Sequence, residues 1–201
     1  MPYIASWSSE KADRPVVVAR RQGGIAYPDE ILHDRDEHGV LWSRTVLSPG
    51  RGRPEFGRIH TLRQRRAMRR LLCQICAGPA DRTEQGVLWL LGDDREDWPN
   101  WPEMMAATHP PVCLPCARVA VRACPYLHGH AVAVRVREAP VEGVYGTLYA
   151  PGNPFPTPLR NETVTYDDPA IRWVCAGQLV RSLRGCTLVD IDAEPPADSR
   201  Q

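Results

Sequence analysis

Cys73-Gln74-Ile75-Cys76-Ala77-Gly78 and Cys113-Leu114-Pro115-Cys116 are the two stretches that decide this chain, and 36 residues separate them. A Cys-x-x-Cys turn aims two sulfurs at one point. Two such turns close a tetrahedron of soft thiolates at about 2.3 Å from a zinc ion. Gly78 suits the tight turn that a metal knuckle requires. The expectation is one structural Zn2+ per chain, held by Cys73, Cys76, Cys113 and Cys116. A complete thiolate shell leaves no open coordination position, so the metal would stabilise the fold and not activate water. A redox role would need only one pair, set at the start of a helix after a strand. His109 is the alternative fourth ligand. Cys124, Cys175 and Cys186 fall on predicted helix or strand faces and read as small core residues.

Working outward, residues 61–72 run Thr-Leu-Arg-Gln-Arg-Arg-Ala-Met-Arg-Arg-Leu-Leu into the first pair. At about 100° per residue, Ala67, Met68, Leu71 and Leu72 share one arc. Arg63, Arg65, Arg66, Arg69 and Arg70 share the other, which predicts an amphipathic helix with an arginine face. Residues 51–72 hold eight arginines against one acid, Glu55, in a chain whose net charge is +1. Of the 25 basic residues only Lys11 is a lysine, so nearly every cation is a flat, bidentate donor. Such a face suits phosphate contact. The competing reading is a solvated face, or one paired with the acidic loop Asp93, Asp94, Glu96 and Asp97.

The rest of the chain reads as a mixture of short strands and two more helices. The first dozen residues read as a frayed polar end, Val16–Val18 as a strand, 31–42 as a hairpin with a polar turn, and 48–57 as a loop. Gly86–Leu91 reads as a buried strand. A short helix, 117–124, follows the second cysteine pair. Ala131–Val136 and Val144–Tyr149 read as strands around a proline-rich loop, 151–158. Asp168 and Pro169 cap a predicted helix with Ile171, Val174, Cys175, Leu179 and Leu183 on its buried face and Gly185 at its end. Thr187–Val189 completes the set. The fold class expected is α+β: a treble-clef-like four-cysteine unit packed with short antiparallel strands and a C-terminal helix. The segments are 1–60, an N-terminal β-hairpin; 61–130, the zinc unit; 131–190, a C-terminal α+β unit; and 191–201, a mobile acidic tail, all in one globular body.

No basic start followed by an apolar stretch opens the chain, and its longest apolar run, Val87–Leu91, is too short for a bilayer. A cytoplasmic protein is expected, where paired cysteines mean metal more often than disulfides.

A basic helix, a Cys-x-x-Cys-x-Gly knuckle, a short hairpin-like stretch and a second Cys-x-x-Cys opening a helix resemble the treble-clef zinc finger, and within it the HNH endonuclease type. The resemblance covers residues 61–124. It implies a structural four-cysteine zinc. The catalytic signature of those nucleases is missing. Trp89 stands where the resemblance would place the histidine base, Thr108 or His109 where it would place an asparagine, and Ala117 where it would place a final histidine or asparagine. A hydrolase needs a base near its water and ligands for its metal.

Three functions follow as expectations. The first is a non-catalytic, zinc-stabilised protein that binds DNA or RNA through Arg63, Arg65, Arg66, Arg69 and Arg70. The second is an adaptor whose zinc core scaffolds a protein interface, with arginines and tryptophans as anchors; Trp98 and Trp101, in an irregular stretch, read either as pins of their loop or as surfaces that stack a base or a ligand. The third is an enzyme with its site around His128, His130, Tyr145 and Tyr149. His33, Asp34, Asp36 and His38, crowded about a turn, read as surface decoration.

Overall fold

Gly86–Gly92 is the strand around which one part of the molecule is built. Its apolar run alternates between two faces, as a strand's period of two requires. Val87, Trp89 and Leu91 face one core with Trp101, Val134, Val136 and Leu183. Leu88 and Leu90 face another with Cys73, Val112, Leu114 and Ala117. A strand covered on both sides needs apolar residues at every position, which is why this segment reads as continuous hydrophobic sequence.

The computed structural model describes residues 1–11, 15–125, 127 and 129–194. In chain order the strands and α-helices are β1 Ala5–Trp7, β2 Val18–Ala19, β3 Ile25–Ala26, β4 Leu41–Trp42, β5 Pro54–Ile59, α1 Thr61–Arg70, β6 Arg82–Thr83, β7 Gly86–Gly92, β8 Ala106–Ala107, α2 Leu114–Ala123, β9 Ala131–Glu138, β10 Val141–Ala150, β11 Thr157–Thr165, β12 Val174–Ser182 and β13 Arg184–Val189. Two 3-10 turns, Leu32–Asp34 and Pro169–Trp173, complete the elements. The chain is α+β, with most of its ordered length in strands.

Contacts divide it into two units, each assembled from separated stretches. The first comprises Met1–Ile4, Arg63–Val141 and Arg181–Gln201. Its sheet runs β13-β9-β7-β6, antiparallel throughout. The second comprises Ala5–Leu62 and Glu142–Val180. There β11, β10, β12 and β4 lie in that order, β4 parallel to β12. A small core of Ile25, Tyr27 and Leu41 gathers Val17, Tyr149 and Trp173 against it.

Several expectations need correction. The C-terminal helix is not formed. Asp168 does cap, accepting from the Ala170 N–H at 2.7 Å, and Pro169 sits at the first position, but the turn they start is one 3-10 turn. Beyond it Val174, Ala176, Val180 and Ser182 alternate inward along β12. A strand on either side gave this segment a sheet position, which overrides a local helix signal. The N-terminus is not frayed: Ile4 and Ala5 are buried, β1 pairs with β5, and the buried Glu10 carboxylate accepts from Trp7 N–H at 2.9 Å and Ser48 N–H at 3.1 Å. That distant partner also turns the end of the expected loop 48–57 into β5. Strand β11, unassigned from sequence, pairs along β10. Of the tail expected from 191, residues 191–194 are tied to α2, whose Arg118 donates to the carbonyls of Ile191 and Glu194 at 3.1 and 2.7 Å. Residues 195–201 lie outside the described residues.

Candidate metal centre

The last turn of α1 leads directly into the first cysteine pair. Leu71 and Ala77 take left-handed backbone conformations, at φ 49° and 65°, and fold the chain into a knuckle. The Cys73 N–H donates to the Gly78 carbonyl at 2.7 Å and the Ala77 N–H to the Cys73 carbonyl at 2.9 Å. The Ile75 N–H points at the Cys73 sulfur, 3.4 Å away. The second pair comes from a helix start: Cys113 is extended and caps α2, with Pro115 in the first turn. Cys116 is one turn along that helix. Backbone bonds lash the two parts together, Gln74 N–H to Pro111 carbonyl, Asp81 N–H to Val112 carbonyl and Val112 N–H to Leu88 carbonyl, all 2.9 Å.

The four sulfurs of Cys73, Cys76, Cys113 and Cys116 lie within 4.8 Å of one another. Among the described residues they form the one group with ligand atoms so placed. Cys76 Sγ and Cys113 Sγ are 3.7 Å apart, too far for a disulfide, and all seven cysteines are free. A tetrahedral site with metal–sulfur bonds of about 2.3 Å has edges of about 3.8 Å. The four cysteines can therefore hold a metal ion without rebuilding the backbone. His109 is not in the group.

The electrostatics point the same way. Burial pushes the Cys113 thiol up to about 11, although the Cys116 backbone N–H favours its thiolate. Cys116 is raised further, first by burial and then by the thiols beside it. Burial also opposes ionisation of Cys76, but the Gly78 N–H and the neighbouring thiols outweigh it and leave this thiol below its ordinary value. Bare thiolates so close repel one another, and a divalent cation at their centre reverses that repulsion.

Behind the knuckle, Arg135 of β9 is fully buried. Its Nη1 donates to Asp81 Oδ1 at 2.7 Å, and its Nε and Nη2 donate to Glu194 Oε2, the first at 3.0 Å. Asp81 belongs to the stretch that leaves the knuckle, so this ion pair braces the knuckle. Sequence reasoning missed it. The signal was an arginine inside the alternating run Ala131-Val-Ala-Val-Arg-Val136.

The arginine face is smaller than expected. On α1, Arg66, Arg69 and Arg70 are exposed and Arg65 is half-buried, but Arg63 is buried, and Leu62 is exposed in its place. Burial extends to Thr61, Arg63 and Gln64 because the first turn of α1 is covered on that side; Gln64 donates to the Thr108 carbonyl at 2.7 Å. The Arg66 guanidinium stands over the Tyr3 ring at 5.9 Å and donates to its hydroxyl at 3.0 Å. Neither Arg66 nor Arg70 makes an ion pair among the described residues. The nearest cation to Asp93 of the acidic loop is Arg95 of the same loop.

Other expected sites resolve as structure. Trp89 is fully buried, its indole N–H donating to the His109 carbonyl at 3.1 Å, and Ala117 is buried in α2. Trp101 joins the core, while Trp98 is exposed. Asp34 is clamped by Arg44, Asp36 accepts from the His38 and Val40 N–H groups and the Trp42 indole, and the His38 ring stacks on Tyr166 at 3.8 Å. His128 lies outside the described residues. His130 is exposed and belongs to one unit, Tyr145 and Tyr149 to the other.

Among the described residues, no helix is long and apolar enough to cross a membrane. Compared with known proteins, the chain matches no family model, no curated protein and no solved structure.

Proposed function

We propose that this is a non-catalytic nucleic-acid-binding protein whose four-cysteine unit, of treble-clef type, holds one structural zinc. The observation that carries the reading is the exposed end of α1, where Arg66, Arg69 and Arg70 stand on the helix that runs into the knuckle. Zinc is the ion that suits an all-thiolate tetrahedron, and sulfurs this close leave room for a single metal and not a multi-iron cluster. The treble-clef reading rests on the order knuckle, β6–β7 hairpin and a helix whose first turn carries the second pair. The fully buried apolar Trp89 and Ala117 supply neither base nor ligand, which favours binding over hydrolysis. With Arg63 buried, the contact surface consists of Arg66, Arg69 and Arg70, flanked by Arg65.

The test is salt-dependent binding to duplex DNA and to single-stranded RNA, read by fluorescence anisotropy. Each phosphate neutralised contributes about 0.9 to the slope of log affinity against log salt on duplex DNA. Arg66→Ala/Arg69→Ala/Arg70→Ala should therefore flatten that slope by roughly 2 to 3. No binding of either nucleic acid at low salt would end the reading and leave the adaptor role, checked by co-purification of a defined partner.

A further inference from the structure

The second unit carries a site of different chemistry. The turn that joins β2 to β3 and the loop after β10 line an open cavity of about 500 Å3. Ligand sites commonly measure about 300 to 1,000 Å3, so there is room for one small molecule. The Ala19 N–H donates to the Pro154 carbonyl at 2.9 Å and ties the two walls together. Gly152 allows the loop its shape: a Cβ there would lie 2.5 Å from the Phe155 carbonyl oxygen.

Two features of the lining point to a ligand. Arg20 and Arg21 both line the cavity and both are exposed. Neither guanidinium has a carboxylate or a hydrogen-bond partner among the described residues, whereas Arg35 and Arg44 of the same unit are fully engaged with Glu30, Asp29 and Asp34. Arg172 adds a third cation beside the turn, with its Nη1 3.8 Å from where a Cβ on Gly23 would lie. The second feature is Trp173, which lines the cavity while packing on the core of Ile25, Tyr27 and Leu41. An indole anchored on one side is a preorganised stacking surface. A guanidinium binds phosphate through bidentate hydrogen bonds.

We infer that this cavity binds a nucleoside 5′-phosphate, with the base against Trp173, the phosphate between Arg20 and Arg21, and the Asn153 amide at the edge of the base. Such a group comes either as a free mononucleotide or as the 5′ end of a strand. The inference does not depend on α1, whose exposed arginines belong to the other unit.

Calorimetric titration of the full chain tests it, using AMP, adenosine, inorganic phosphate, and a single-stranded hexanucleotide with or without a 5′-phosphate. Saturable AMP binding is expected, with adenosine and phosphate each at least about tenfold weaker. Arg20→Gln/Arg21→Gln should weaken AMP by about tenfold or more with no change in melting temperature, since both side chains are exposed. Trp173→Phe should weaken it by a smaller factor, because a ring remains. A 5′-phosphorylated strand that binds more tightly than AMP would identify a strand end as the ligand, and the reverse order a free nucleotide. Arg66→Ala/Arg69→Ala/Arg70→Ala should leave AMP binding unchanged, so the two proposals fail separately. The inference is overturned if neither AMP nor the phosphorylated strand binds at millimolar concentration, if the Arg20/Arg21 variant binds as the parent does, or if phosphate alone binds as tightly as AMP.

Discussion

Between Cys73 and Cys116 the chain is drawn together by four thiols around one point. Between Tyr27 and Arg44 it is drawn together by a guanidinium. Arg44 donates to Asp34 at 3.0 and 2.7 Å and to the Asp29 carboxylate at 2.9 Å, and lies over the Tyr27 ring at 4.5 Å. Both stretches are poor in long regular elements and both need a cross-link. The thiol cluster uses soft groups that water satisfies poorly and whose spacing suits a metal ion. The guanidinium clamp uses groups that water satisfies almost as well, so it orders the chain while adding little net stability. The first region should therefore depend on one ion, and the second on pH and salt.

The largest effect should come from Cys113→Ser. It removes one ligand, and metal binding is folding energy in a unit built this way. The loss should be on the order of a domain's whole stability, about 5 kcal/mol or more. Hydrogen exchange would show protection lost across residues 73–81 and 112–123. Retained protection at 25–44 would sharpen the comparison, and simultaneous loss in both regions would break it.

Next comes Asp81→Ala. It strips one of the two carboxylates from the fully buried Arg135, leaving Glu194, and should cost about 2 kcal/mol, read from urea unfolding. Adding Arg135→Met should recover only part of that, because the guanidinium still has Glu194 as a partner when Asp81 is gone. An Asp81→Ala protein as stable as the parent would show that the brace behind the knuckle has no energetic role.

A pH effect should separate the regions further. The Arg44 guanidinium holds the Asp34 carboxyl below its ordinary 3.8. A depressed carboxylate contributes stability that is complete above the unfolded value and lost as pH falls through the folded one. The second unit should thus weaken as pH drops below 3.8, and Asp34→Asn, already weakened at neutral pH, should show a shallower acid loss. Equal acid profiles for the parent and the variant would contradict the clamp. The smallest effect on stability should be that of Arg66→Ala/Arg69→Ala/Arg70→Ala, within about 0.5 kcal/mol for exposed positions, even as nucleic-acid binding weakens.

The same contrast explains what could be read from the sequence. The four-cysteine cluster was legible because thiolate chemistry fixes residue type and spacing together, so two Cys-x-x-Cys pairs announce a shared point. Strand β7 was legible because burial on both faces leaves no polar position between 87 and 91. Helix α1 was legible from its period, but Arg63 was misplaced: a helical wheel assigns an arc and does not know that the first turn is covered. The clamp of Arg44 on Asp29 and Asp34 left no pattern, since any arginine of 24 has many acids as possible partners. Asp168 and Pro169 gave a true local signal for a turn and a false one for a helix. What followed was decided by β10 and β4, which flank β12 from distant parts of the chain. Strand β5 was lost for the same reason, its partner β1 lying near the other end of the N-terminal stretch.

Elemental analysis of the purified chain is the shortest route to whether the four cysteines hold one structural zinc. One zinc per chain is expected, with no zinc in Cys113→Ser and a fall in melting temperature when a chelator removes the metal. A chain that purifies without bound metal and melts at the same temperature with and without chelator would contradict it.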